Sequence, residues 1–362
     1  MIPLVKVSFP PANVLMPKIE EVLYSGQVAE GAFVYDFEKK FVEKYGYGQG
    51  LAISSGTAAL HMALILAGVE DGDEVISTAM TAEPTNTSIT QAGGKIVWAD
   101  VDSASGNISP ESIKENITSK TKAIVVVHYA GYPCRMDEIM KIAKEKNIKV
   151  IEDCAHALGA KYGKDFVGLQ ADFAIFSFQA IKHMTTVDGG FLLFKDNTLL
   201  EKAKRVRWFG MLKGVPRTEV DLSVQGYKYN MNNVTAQIGL QQLQHNIDQI
   251  IERHISNGLF YDQELSKIKG IDFARCDSQG RSSYWIYTLL TDNSKDLEKL
   301  LTENGISASK LHKPNYHHSF FKSSFKLLPQ LEKFYDRLLH IPCGWWVTNE
   351  DRQRIVDVIK KG

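Results

Sequence analysis

FSFQAIKHMTTVDGG, residues 176–190, is the stretch on which the fold of this chain turns. One apolar run ends at Ser177 and another, Phe191 to Phe194, begins after Asp188-Gly189-Gly190. Between them stand one lysine, Lys182, a histidine, His183, and the hydroxyl pair Thr185-Thr186. Most lysines are solvated. Here the flanks read as buried strands and the neighbours are small or hydroxyl-bearing. Partial desolvation in such a loop favours the neutral amine, the form that attacks a carbonyl.

Working outward, LAISS is strand-like and TAALHMALILAG repeats apolar residues at helical spacing, closed by Gly68. DEVIST, KIVWADVD, KAIVVVHY, IKVIEDC, ADFAIFSF and GGFLLF read as strands. PTNTSITQAG, MDEIMKIAKEKN and NTLLEKAKRVRWFG read as helices, the first with Pro84 in its opening turn. Such alternation predicts an α/β fold, a mostly parallel sheet with helices on both faces. Past Gly226 the pattern changes. NVTAQIGLQQLQHNIDQIIERHISNGLFYDQELSKI reads as one long amphipathic helical stretch, followed by the strand SSYWIYTLLT and the helices DLEKLLTENG and DRQRIVDVIKK. The expected division is a large domain over residues 1–240 and a smaller α+β domain over 241–362, with the N-terminal segment beside the latter.

Composition narrows the function. The chain has 362 residues, 44% of them hydrophobic, with 42 basic and 42 acidic side chains. Charges of both signs are interspersed, so no basic stripe marks a nucleic-acid surface. No apolar run reaches the ~20 residues that cross a bilayer, and MIPLVKVSFPPANV lacks a signal-peptide pattern. The expectation is a cytoplasmic protein that engages neither nucleic acid nor membrane. Cys134, Cys154, Cys276 and Cys343 are scattered without a CxxC pair, which argues against a disulfide framework or structural zinc.

In open α/β sheets ligands bind beyond the carboxyl ends of the strands. Three such ends carry chemistry. Ser54-Ser55-Gly56-Thr57 joins a strand to a helix, where unpaired amides, the helix dipole and hydroxyls suit a phosphate, although the same residues also serve as an ordinary N-cap. Asp153 ends the strand VIED, either capping the next turn or aimed at a ligand; a protonated ring nitrogen is a good partner for a buried carboxylate. Lys182 is the third. A phosphate cradle, an acid for a ring nitrogen and a nucleophilic lysine together specify pyridoxal 5′-phosphate. A dinucleotide-dependent dehydrogenase is disfavoured because no GxGxxG joins a first strand to a helix.

GTAAL, KIVWADVD, VVHYAGYP, VIEDCAHALGA, FSFQAIKHMTTVDGG, GYKYNMNNVTAQIGLQQL and LHIPCGWWVT together resemble the DegT/DnrJ/EryC1/StrS family of nucleotide-sugar aminotransferases, across nearly the whole chain. The resemblance implies pyridoxal phosphate fold type I, with a seven-stranded, mostly parallel sheet in the large domain. It implies that Lys182 bonds the cofactor and moves protons, and that Asp153 holds the pyridine nitrogen protonated. Ser55, Gly56, Thr57 and Ser177 would bind phosphate; Ala155 would press on one ring face and His156 lie beside the ring hydroxyl. His183 and Tyr229 would line the sugar pocket. Lys228, where relatives carry an Asn that reaches the neighbouring subunit's cofactor, implies a homodimer with shared active sites. The family's second stacking residue, an aromatic, falls on Ala82 here.

The resemblance further implies L-glutamate as donor and a nucleotide-linked keto-sugar as acceptor, with Thr185 to Gly190 similar to a stretch common among enzymes that aminate C4. Two alternatives remain. A sugar-nucleotide dehydratase of the family carries His in place of Lys182, and a regulator would bind cofactor or sugar nucleotide without turnover. Arg205, Arg207 and Trp208 read as a solvated helix end, His317-His318 as surface residues, and Trp345-Trp346 as packing between domains.

Overall fold

The computed structural model describes residues 1–362. Two helices, α1 (Ala12–Tyr24) and α2 (Ala32–Tyr45), precede the sheet. The chain then runs β1 (Gly50–Ile53), α3 (Gly56–Leu66), β2 (Glu74–Thr78), α4 (Glu83–Gln91), β3 (Lys95–Ala99), α5 (Pro110–Asn116), β4 (Thr121–Val127), α6 (Met136–Lys146) and β5 (Lys149–Asp153). A short hairpin, β6 (Lys161–Tyr162) and β7 (Asp165–Phe166), leads into β8 (Phe173–Ser177) and β9 (Gly190–Phe194). The spatial order is β1-β9-β8-β5-β4-β2-β3, and β9 alone runs against the others. This is the seven-stranded, mostly parallel sheet that the resemblance implied.

Strand alternation explains the layers. Val125, Ile151 and Ile175 point into one apolar cluster with Ala59, Met62 and Ala63 of α3. Their neighbours point the other way: Val126 and Val150 against Met136, Ile139 and Ala143 of α6, and Phe176 against Phe37 and Phe41 of α2. Helix α3 is buried on almost every side, as a helix apolar all round must be. Its N-terminus is thereby fixed beneath the ends of β8 and β9.

Beyond α7 (Leu200–Arg207), the pattern read as one long helix divides into α8 (Asn233–His245) and α9 (Ile247–Leu265). Asn246 breaks it with non-helical backbone at φ −140°, and its side-chain amide donates to the Ser8 hydroxyl at 3.3 Å. Local side-chain bonding of this kind competes with helix, and apolar periodicity does not reveal it. The second part contains β10 (Asp272–Phe273), β11 (Gly280–Arg281), β12 (Tyr287–Leu290), α10 (Ser294–Glu303), α11 (Pro329–Arg337), β13 (Leu338–Ile341) and α12 (Asn349–Ile359). Strands β10, β12 and β13 form an antiparallel sheet, while β11 pairs with β6. Residue 240 lies inside α8, which packs on α1 and α2. The N-terminal residues begin on the C-terminal part, where Ile2 bridges Ile306 and the Pro3 carbonyl accepts Trp346 Nε1 at 2.8 Å, and reach α8 at Ser8, whose carbonyl accepts Gln242 Nε2 at 3.0 Å.

Two polar anchors hold the sheet. Arg207 corrects the reading of a solvated helix end: its side chain is 4% exposed, and it bonds Glu38 at 2.6 Å, Glu30 at 2.9 Å and the Ala52 carbonyl at 3.2 Å. Glu38 also accepts the Ala52 amide at 2.9 Å, so α2, α7 and β1 share one charged joint. Arg205 keeps to the surface beside Glu201. The second anchor is Glu152 on β5, fully buried. It accepts the amides of Gly168 (2.8 Å), Gln170 (3.1 Å) and Ala171 (2.8 Å), and contacts His128 Nε2 at 3.0 Å. His128 Nδ1 accepts the Cys134 amide at 3.0 Å, which places the proton on Nε2 and makes the ring a neutral donor to Glu152. Glu152→Ala strands three buried amides, so it should destabilise the chain by at least about 3 kcal/mol, read as a lower urea midpoint at unchanged slope; a wild-type midpoint would show the anchor to be dispensable.

Candidate active site

The ends of β1, β5 and β8 open on one cavity of about 330 Å³. At the first, Ser55 adopts extended backbone and caps α3, its hydroxyl accepting the Ala58 amide at 3.0 Å. Gly56 and Thr57 follow in the cavity wall, where the dipole and free amides of the helix favour an anion. A Cβ on Gly56 would stand 2.9 Å from Ser177 Cβ, and one on Gly190 would stand 2.5 Å from the Ser55 carbonyl. Close approach of backbone therefore requires both glycines, which accounts for the last residue of the opening motif.

Asp153 sits at the end of β5, buried. Its Oδ2 accepts Thr85 Oγ1 at 2.8 Å and its Oδ1 accepts the Ala155 amide at 3.0 Å. Burial raises its pKa above the ordinary carboxylate value, and the Ala155 amide, Thr85 and the nearby Lys182 oppose that rise. Lys182 lines the same cavity. Burial lowers its pKa to about 8, with the Asp153 charge opposing the shift. Its Nζ lies 4.2 Å from the centroid of the Trp285 ring, a cation–π distance.

Ser55, Gly56, Thr57, Asp153, Ala155, His156, Ser177 and Lys182 all line this cavity. Three other candidates do not. His183 is buried on the far side of the loop, its Nε2 3.1 Å from the Ser283 carbonyl and its ring packed on His254. Tyr229 stacks on Tyr227 and hydrogen-bonds His61 through its hydroxyl at 3.0 Å. Lys228 is exposed; its Nζ donates to Asn230 at 2.6 Å and lies over Trp208. Ala82 is part of the wall as the N-cap of α4, whereas Met80 is buried in the core behind it. The imidazole of His156 is the one aromatic side chain in the wall.

Trp285 and His312 escaped the sequence reading. Trp285 stacks on His156 with centroids 3.9 Å apart and planes at 15°, and its Nε1 donates to the Ile181 carbonyl at 2.9 Å. His312 lies parallel to His156 at 5.9 Å. Nothing in the strand-like SSYWIYTLLT separates a site tryptophan from a core one. Of the surface pair, His317 meets Glu332 and His318 meets Glu83, a residue of the cavity wall.

The arrangement joins an anion cradle, a buried carboxylate and an amine that is partly deprotonated near neutrality. Comparison with known proteins agrees with it. A model of the DegT/DnrJ/EryC1/StrS aminotransferase family matches residues 12–360. The chain is 31% identical to GDP-perosamine synthase of Escherichia coli O157:H7, covering 89% of this chain and 88% of that one. It is also 31% identical to UDP-4-amino-4,6-dideoxy-N-acetyl-beta-L-altrosamine transaminase of Campylobacter jejuni, over 91% of this chain and 89% of that one. The crystal structure of the sugar aminotransferase CalS13 from Micromonospora echinospora superposes with a TM-score of 0.96 at 33% identity, covering both chains completely. Fold, cavity and sequence agree that the chain belongs to the DegT/DnrJ/EryC1/StrS aminotransferase family.

Proposed function

We propose that this chain moves an amino group from L-glutamate to the keto carbon of a nucleoside-diphosphate 4-keto-6-deoxyhexose, using pyridoxal 5′-phosphate. It does so as a cytoplasmic homodimer in which Lys228 of the partner subunit completes each site. The observation that carries this reading is the convergence of Lys182, Asp153 and the N-terminus of α3 on one cavity. No helix is long and apolar enough to cross a membrane.

The wall fits the cofactor. Ser55, Gly56, Thr57 and Ser177 line the cavity at the N-terminus of α3, with Gly56 and Ser177 packed too closely for a Cβ between them, and their amides and hydroxyls suit a phosphate. His156 Nδ1 is buried without a partner, a polar atom left over for a ring substituent. Pyridoxal phosphate, when bound, supplies an electron sink for the bond changes at the amino carbon. Asp153 would keep the ring nitrogen protonated, and its fixed bonds to Thr85 and Ala155 orient it for that. Lys182, with a pKa of about 8, can accept and return a proton near neutral pH without a large energetic cost in either direction. Ala82, where a ring would stack, leaves that face to small side chains.

Two observations favour amination over its rivals. Lys182 lines the cavity while His183 turns to Ser283, so the lysine and not the histidine serves the site, against a dehydratase. An amine and a carboxylate both in place argue against a binder without turnover. The Campylobacter jejuni relative is named for a UDP-linked dideoxy sugar with nitrogen at C4, which supports C4 here.

Three outcomes follow. Lys182→Ala should lose the visible absorbance of lysine-bound cofactor and at least about a thousandfold of turnover while keeping its far-UV circular dichroism; normal turnover would remove the mechanism. Asp153→Asn should keep cofactor yet lose about a hundredfold or more in rate with glutamate and keto-sugar. In ligand-free protein, acylation of Lys182 should rise with pH around a midpoint near 8, because burial favours the free amine. Asp153→Asn should move that midpoint lower, since the carboxylate's charge holds the proton on. A midpoint at the ordinary lysine value would show the amine to be solvated.

A further inference from the structure

A second cavity, about 660 Å³, lies between α9, β10 and the β6–β11 pair, and shares no wall residue with the catalytic cavity. It adjoins a shallower depression of about 560 Å³, and Lys161 and Arg281 belong to both walls. These two cations are direct cross-strand partners in the antiparallel pairing of β6 with β11. Like charges directly opposite one another on a sheet are destabilising. Neither has a carboxylate within ion-pair distance, and Lys164, in the wall of the depression, has none either. The acids nearby are committed elsewhere. Asp277 accepts the Gln279 and Gly280 amides and the Tyr162 hydroxyl, and Asp262 accepts the hydroxyls of Tyr284 and Tyr287.

The deeper cavity offers a different chemistry. Tyr132 in its wall is 1% exposed, and its hydroxyl has no hydrogen-bond partner. An orphaned buried hydroxyl carries a desolvation cost that a bound polar atom would relieve. Ile255, Leu259, Phe273, Ala274 and the Tyr284 ring give the wall an apolar side, and Asp262, Asp277 and Arg275 complete it. The volume falls within the range of small-molecule sites.

We infer that this groove binds a phosphorylated small molecule, its phosphate between Lys161 and Arg281 with Lys164 beside them, and its uncharged ring in the cavity against Tyr132. A nucleotide has this chemistry. One peptide bond links this wall to a neighbour of the catalytic amine. Tyr284, at φ 45° in the left-handed region, faces this cavity, and the next residue, Trp285, stacks on His156 and lies over Lys182.

The test is calorimetric titration of the cofactor-loaded protein, whose own phosphate cradle is then filled, with uridine 5′-diphosphate, inorganic pyrophosphate and uridine. The nucleotide should bind with two sites per chain or with one that survives blocking of the catalytic cavity by substrate product. Lys161→Gln and Arg281→Gln should each weaken that site about tenfold or more while leaving turnover at saturating substrate unchanged. Tyr132→Phe should weaken the nucleotide and leave pyrophosphate unaffected. Both cationic variants should also melt slightly higher than wild type without ligand, since each removes the opposed pair. Equal nucleotide binding in wild type and the double variant, or pyrophosphate binding as tightly as the nucleotide, would overturn the proposal. The readout is equilibrium binding, so it stands or falls independently of the amino-transfer reading.

Discussion

Two adjacent carboxylates at the end of β5 organise this molecule. A strand sends successive side chains to opposite faces, so Glu152 and Asp153 leave the sheet in opposite directions. Glu152 enters the side covered by α2 and α6 and is satisfied completely by backbone amides and a neutral histidine. Asp153 enters the cavity and is only partly satisfied, by one hydroxyl and one amide. The first arrangement sets the register of the strand end and the segment leading to β8. The second depends on that register, because a slip of one residue would exchange the two acids.

The catalytic geometry follows from this setting. With β5 and β8 held, β9 must pass close to the turn before α3, and Gly56 and Gly190 make that approach sterically possible. The loop between β8 and β9 then has little freedom. Its backbone closes through Phe178 to Gly189 at 2.8 Å and Thr186 to Phe178 at 2.9 Å. Lys182 is thereby carried to the cavity and backed by Trp285 rather than by solvent. The depressed affinity of the amine for its proton is a result of packing, and so is its readiness to exchange one.

What the bare sequence revealed depended on whether a signal was local. Strands flanked by glycine, the N-cap at Ser55, the acid at a strand end and the isolated lysine are all local patterns, and the sheet with its cavity follows from them. Partners distant in sequence left no such trace. Arg207 meets Glu30 and Glu38 across more than 160 positions, a separation of 177 to the first and 169 to the second, and it read as a surface arginine. Trp285 reaches His156 and Ile181 from the other part of the chain, and its strand-like surroundings do not mark it. The side of the loop that His183 faces was equally hidden, since adjacent residues of an irregular loop carry no periodicity. Asn246 interrupts an apolar repeat that continues unchanged through it, so the break between α8 and α9 was invisible to pattern alone.

The strap formed by residues 2–8 has a mechanical consequence. The chain crosses between its large sheet and its C-terminal part twice, once between Ser8 and α1 and again at Asn246, and the crossings meet side by side, Asn246 donating to the Ser8 hydroxyl at 3.3 Å. Bodies joined by one tether can swing freely about it, whereas two tethers leave essentially one pivot, the line through both. Gaping in any other direction must first peel Ile2 from its backbone bonds to Gly305 and Ser307, at 2.8 and 2.9 Å. Any opening between the two parts is therefore a hinge about that line rather than a free swing.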